Sequence, residues 1–189
     1  MAKTAAKLTE LIRADDPIVK YEGEGERILR ENSKPVAQFT EDIAELVSRM
    51  ETIMRDANGV GLAAPQLGIL KRIFVYDAGD GFHAIINPKI LQRKGEQLGV
   101  EGCLSIPGLY GDVLRANEVV VKGMDQYGNP VRLREEGLGA RVIQHEFDHL
   151  EGILFIDRAD PDSLRWGRGD DDDDGDEDED EGEPPSTRE

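Results

Sequence analysis

The sequence predicts an α+β domain, and three observations carry that expectation. Only two stretches, 40–57 and 136–150, read as clear helices. Several short runs rich in β-branched and aromatic residues are separated by turn signals of the hairpin kind. Strand and long helix do not alternate, as a doubly wound parallel sheet would require. The 189 residues are enough for one domain with a real hydrophobic core.

Residues 1–39 are polar and broken by Pro17, Gly23, Gly25 and Pro35, which predicts an irregular arm wrapped on the domain, with Ile28 and Leu29 pinning a turn. The first helix, 40–57, starts at Thr40, whose hydroxyl is suited to cap the free amides. Glu41 and Asp42 suit the positive end of its dipole. Ile43, Leu46, Val47, Met50, Ile53 and Met54 form one apolar stripe, and Asn58-Gly59 ends the helix. A glycine-rich turn is expected over 59–68. Strands are expected at 72–76, 82–87 and 118–122, with Asp80-Gly81 turning the first two into a hairpin and another turn at 127–131. The second helix runs to about residue 150 and stops at Gly152, with a short apolar run after it.

The formal net charge of -17 is concentrated at one end. Residues 170–183 carry 12 acidic groups and no basic ones, whereas residues 1–169 hold 22 basic against 27 acidic side chains. Nothing in that larger part resembles the clustered Lys and Arg of a nucleic-acid surface. The expected division is a single domain over 1–166 and a disordered, solubilising acidic tail over 167–189, where like charges repel and little apolar surface is available to bury. One cysteine, Cys103, excludes an intramolecular disulfide framework. No stretch approaches the roughly 18 apolar residues of a membrane span.

Two of the three histidines lie in Q-H-E-F-D-H at 144–149. On a helix, His145 and His149 share a face, and Glu146 projects about 100° away, within reach of a water between them. This is how H-E-x-x-H combines metal coordination with a base in one turn. A hydrolytic metal site takes three protein ligands and keeps one position open. His83, a carboxylate or Cys103 could supply the third. Cys103 sits in E-G-C-L-S at 101–105, ahead of Pro107-Gly108, which reads as a turn.

With G-V-G-L-A-A-P-Q at 59–66, these motifs make three in one order, and the chain resembles the peptide deformylases. Those are bacterial and organellar hydrolases that remove the formyl group from the N-terminal methionine of new polypeptides. The resemblance covers most of 20–158, including R-I-L-R and K-P-V in the arm. It implies antiparallel strands packed around a central metal-binding helix. Cys103, His145 and His149 would hold one divalent ion, with Glu146 as general base and acid at the metal-bound water. Gln66 and the Leu104 backbone N–H would stabilise the oxyanion. Val60, Leu138 and the helix before His145 would line the methionine pocket. The loop around Gly61, with Gly102 opposite, would meet the substrate backbone. Ferrous iron is the implied ion, and zinc, nickel or cobalt also suit a Cys-His-His set.

The implied partners are formyl-methionyl chains near the ribosome, with no specific nucleic acid and no membrane. The chain is expected to be a monomer of a bacterial cytoplasm, since no transit-type leader is evident. Gly99 stands where many relatives carry a bulky apolar group, which suggests a widened methionine pocket. His83 is expected to be structural. Arg115 and Arg141 are expected to be local ion-pair partners, and Asp148 to bind Arg141 or a loop arginine. A metallopeptidase would want a further His or Glu ligand beyond His149, and a structural zinc module would want four ligands; neither pattern is present.

Overall fold

The computed structural model describes residues 17–167. The arm carries a short helix, α1 (Glu24–Leu29), where an irregular path was expected. Its Leu29 is fully buried against Leu154 and Phe155, so tertiary packing rather than periodicity holds this turn and a half. The next helix, α2 (Glu41–Asp56), buries all six residues of the predicted stripe. Thr40 occupies the N-cap position in extended backbone but makes no side-chain cap bond; its carbonyl accepts from Ile43 N–H at 2.9 Å. Asn58 takes the left-handed conformation (φ 52°) after the helix, and Gly59 N–H returns to the Met54 carbonyl.

The strands are β1 (Gly61–Ala63), β2 (Ile73–Tyr76), β3 (His83–Lys94), β4 (Gln97–Cys103), β5 (Ile106–Arg115), β6 (Glu118–Met124), β7 (Pro130–Glu136) and β8 (Arg165–Trp166). They form a five-stranded sheet in the order β1-β2-β3-β6-β7 and a three-stranded sheet in the order β4-β5-β8. Every named pair is antiparallel. The hairpin at Asp80-Gly81 forms as expected, joining β2 to β3. The turn before β7 is tied by Asp125, whose carboxylate accepts from Tyr127 and Asn129 N–H.

Pro107 and Gly108 do not form the expected turn; they lie inside β5, and the reversal occurs at Leu104-Ser105. The glycine-rich segment at 59–68 contains the strand β1 and a 3-10 turn over Ala64–Leu67.

The last helix, α3 (Gly137–Leu150), is buried at ten of its 14 positions and joins the two sheets. Ala140, Val142, Ile143 and Leu150 pack with Phe74, Tyr76, Ile85, Val119 and Val121 of the five-stranded sheet. Its other side, with Arg141, Gln144, His145 and Asp148, meets the three-stranded sheet through polar contacts. A helix buried on both sides can keep polar residues only where each finds a partner, and here ions and backbone carbonyls supply them. Antiparallel sheets around one central helix is the α+β arrangement expected from the sequence.

Candidate metal centre

Cys103 ends β4, and His145 and His149 lie one turn apart on α3. Their donor atoms converge within 4.8 Å of one another. Cys103 Sγ is 3.3 Å from His149 Nε2, and the two imidazoles meet edge to face with centroids 5.0 Å apart. His145 Nδ1 is held by Glu101 Oε2 at 2.9 Å, which leaves its Nε2 side for the site. Burial opposes ionisation of the Cys103 thiol, but the His149 and His145 imidazoles outweigh it and hold the thiol well below its usual value. A thiolate and two imidazoles with converging donors fit a zinc- or iron-class divalent ion. Asp80, His83 and Glu135 form a separate cluster, so His83 does not join this set.

Glu101 ties the site to the three-stranded sheet. Arg115 binds it through two nitrogens at 2.9 Å each, and Arg141 adds a third contact at 2.8 Å. Burial alone would raise the Glu101 pKa, yet Arg115 and His145 hold the carboxyl well below the usual range. Asp148 binds Arg115 at 2.5 Å and Arg158 at 2.5 and 2.7 Å. Its partner is therefore not Arg141, which turns to Glu101 and to the carbonyls of Gln97, Gly99 and Val113. Glu101 was legible only as the first residue of its motif. Its place on the same strand face as Cys103, two residues before it, was the available signal.

Glu146 is 4% exposed, and its Oε2 has no hydrogen-bond partner. Burial pushes its pKa up to about 7 against the pull of the neighbouring imidazoles; a cation beside it would act in the same direction as they do. Gln66 is 2% exposed and oriented from one end. Its Oε1 accepts from Ala63 N–H at 2.8 Å, so its Nε2 aims at Ser105 Oγ (3.3 Å) and Cys103 Sγ (3.5 Å).

A cavity of about 600 Å³ opens here, between the β1 and β4 edges and beside α3. Val60, Gly61, Gly102 and Leu138 all line it, as do Gln66, Cys103, Leu104, His145 and Glu146. His149 lies behind them, 1% exposed. Gly61 has no room for a side chain: a Cβ there would fall on the Glu146 carboxylate and lie 2.9 Å from Val142 Cγ1. Gly102 faces Tyr110, its partner across the hairpin, whose ring would be 2.7 Å from a Cβ. Gly99 does not widen the cavity. It lies on the inner face of β4, where a Cβ would be 3.0 Å from the Arg141 guanidinium, and the cavity wall is Val100 instead.

A model of the polypeptide deformylase family matches residues 16–165. The peptide deformylase of Carboxydothermus hydrogenoformans is 49% identical over 144 residues, covering 76% of this chain and 94% of the relative. The crystal structure of peptide deformylase from Thermotoga maritima matches with a TM-score of 0.73 at 43% identity, over 76% of this chain and 97% of that one. The Synechococcus elongatus peptide deformylase, crystallised in complex with actinonin, matches with the same score and identity over 78% of this chain and 81% of that one. A family match across nearly all the described residues, together with these near-full-length relatives, shows that the chain is an enzyme of the peptide deformylase family.

Proposed function

We propose that this protein removes the formyl group from the N-terminal formyl-methionine of newly made polypeptides, using one divalent ion held by Cys103, His145 and His149. One observation carries the reading: these three donors converge beside the buried, unpartnered carboxylate of Glu146, at the floor of a cavity reached from a sheet edge. An ion held there would supply Lewis acidity, polarising the formyl carbonyl and lowering the pKa of a water so that it can lose a proton and act as nucleophile near neutral pH.

Glu146 takes the proton of the attacking water and passes it to the departing amine. A buried carboxylate whose Oε2 has no hydrogen-bond partner is free to do both. The Gln66 side-chain amide and the Leu104 backbone N–H donate to the oxygen that becomes negative in the transition state. Anchoring of Gln66 Oε1 by Ala63 means that this donor needs no reorganisation, and loss of such a donor costs on the order of 3 kcal/mol of barrier.

β1 is an edge strand, and the backbone around Gly61 pairs there with an extended substrate as one more strand. Val60 and Leu138, 46% and 51% exposed at the cavity wall, grip the methionine side chain together with Val142. Ferrous iron is the proposed ion, with zinc, nickel and cobalt compatible with the same donors. The protein acts in a bacterial cytoplasm, as a monomer, on chains emerging near the ribosome. The tail beyond residue 167 carries the wrong charge to dock on ribosomal RNA.

Turnover of formyl-Met-Ala-Ser by protein kept anaerobic and loaded with ferrous iron, beside protein stripped by chelator, tests this. Formate released only by the loaded sample is the expected result. A folded, loaded protein that releases none would refute the substrate assignment.

A further inference from the structure

A second set of ligand-type side chains lies outside the candidate metal centre. Asp80, His83 and Glu135 each present a donor atom, and these atoms lie within 4.8 Å of one another. They come from three places in the chain: the tip of the β2–β3 hairpin, the first residue of β3, and the end of β7 where it leads into α3. His83 Nε2 is buried with no hydrogen-bond partner, and Asp80 Oδ2, at 3.8 Å, is too far to serve as one. The imidazole is held by stacking on Tyr76 at 5.0 Å, and the Tyr76 hydroxyl donates to Glu135 Oε1 at 3.1 Å. The other Glu135 oxygen packs against Gly139 in the first turn of α3, where a Cβ would be 2.6 Å away.

The charge at this place is also unbalanced. The partly or wholly buried carboxylates of Glu101, Asp148, Glu118 and Glu151 each pair with an arginine. Among the described residues, neither Asp80 nor Glu135 pairs with an arginine or lysine. The half-buried Glu135 carboxylate without a cation and the His83 imidazole, 29% exposed and with its Nε2 unpartnered, leave a place beside the exposed Asp80 for a positive ion that accepts nitrogen and oxygen donors together.

We infer that Asp80, His83 and Glu135 form a second divalent-cation site of the zinc class, distinct from the Cys103 centre. An imidazole with two carboxylates suits zinc, whereas calcium and magnesium favour all-oxygen sets. Asp80 Oδ2 and His83 Nε2, 3.8 Å apart, stand wider than the roughly 3.4 Å between neighbours in a tetrahedral zinc site. Asp80 is the ligand able to close the gap: its side chain is 57% exposed, and it sits between Gly79 and Gly81 at φ 109° and 119°. The bound ion fastens the hairpin tip to the root of the helix that carries His145 and Glu146.

The test is zinc stoichiometry, by elemental analysis after equilibrium dialysis of the full chain against low-micromolar zinc. The wild type is expected to hold a second zinc per chain. His83→Ala and Asp80→Asn should each lose that second ion, and Cys103→Ser should lose the other and keep this one. Asp80→Asn lies on an exposed hairpin tip and guards against a His83 variant that fails to fold. The ring signals of His83 in a nitrogen-15 spectrum should also shift as zinc is added to Cys103→Ser. A single zinc in the wild type would overturn the inference. So would a second zinc that both variants retain, since the acidic tail would then be holding it.

Discussion

If Glu146 moves protons rather than ligating, as proposed, replacing it by glutamine is expected to lower kcat about a hundred- to ten-thousand-fold while leaving the bound metal in place. Steady-state kinetics with metal analysis on one preparation would show it; an apo variant would instead make Glu146 part of the ligand set. Gly61 offers a subtler case. A methyl group there would push on the Glu146 carboxylate and on Val142, so Gly61→Ala should reduce kcat/KM at least about tenfold and cost about 1–3 kcal/mol of stability from crowding. Full activity in that variant would mean that the carboxylate has room to withdraw without effect. At this scale the ligand candidates were legible because His145 and His149 are four apart on one helix and Cys103 lies in a recognisable motif. Glu101 was not singled out, because its role arises from strand β4 crossing opposite α3, a relation between residues 44 apart.

Strand β4, strand β5 and helix α3 are held together by one buried ionic cluster. Glu101→Ala would leave Arg115 and Arg141 facing each other's charge with a single shared acceptor gone, which is expected to cost about 3–5 kcal/mol. It would also free the His145 ring from its hydrogen bond. Urea denaturation of the metal-free protein would measure both losses together without any contribution from an ion; an unchanged midpoint would contradict them. A second prediction concerns the arm. Burial raises the Asp157 pKa, but its bond to Arg30 on the residue after α1 outweighs that and places it below the ordinary 3.8. A depressed carboxylate stabilises fully above its ordinary pKa, and the contribution fades as the pH falls through the lower, folded value. The stability difference between the wild type and Asp157→Asn should therefore be present at neutral pH and shrink below about pH 4. A difference that stays constant down to low pH would rule this pair out as the cause. Helix α2 was fully legible, its stripe being repeated at regular spacing. Strands β4 and β7 were not: β4 exposes its apolar Leu98 and Val100 while Gly99 and Glu101 face inward, β7 is mostly charged, and only pairing with a neighbour makes such segments strands.

For the molecule as a whole, metal removal should lower the melting temperature, since an ion bound by residues from β4 and α3 favours only the folded chain. At an ion concentration about a hundred times its dissociation constant the loss would be about 2.7 kcal/mol. Scanning calorimetry of the loaded and chelated forms would measure it, and coincident transitions would mean that the three donors hold no ion tightly. The fold class, the two long helices and the three motifs that mark the family can be read from the residues alone. Those are local patterns, written in spacing along one element or in a short run of residues. Which carboxylate steadies His145, why Gly61 and Gly99 are glycines, which arginines Asp148 binds, and how Asp80, His83 and Glu135 come together emerge only on packing. Each of these depends on elements far apart in the chain packing against one another, and no periodicity within a single segment encodes such a meeting.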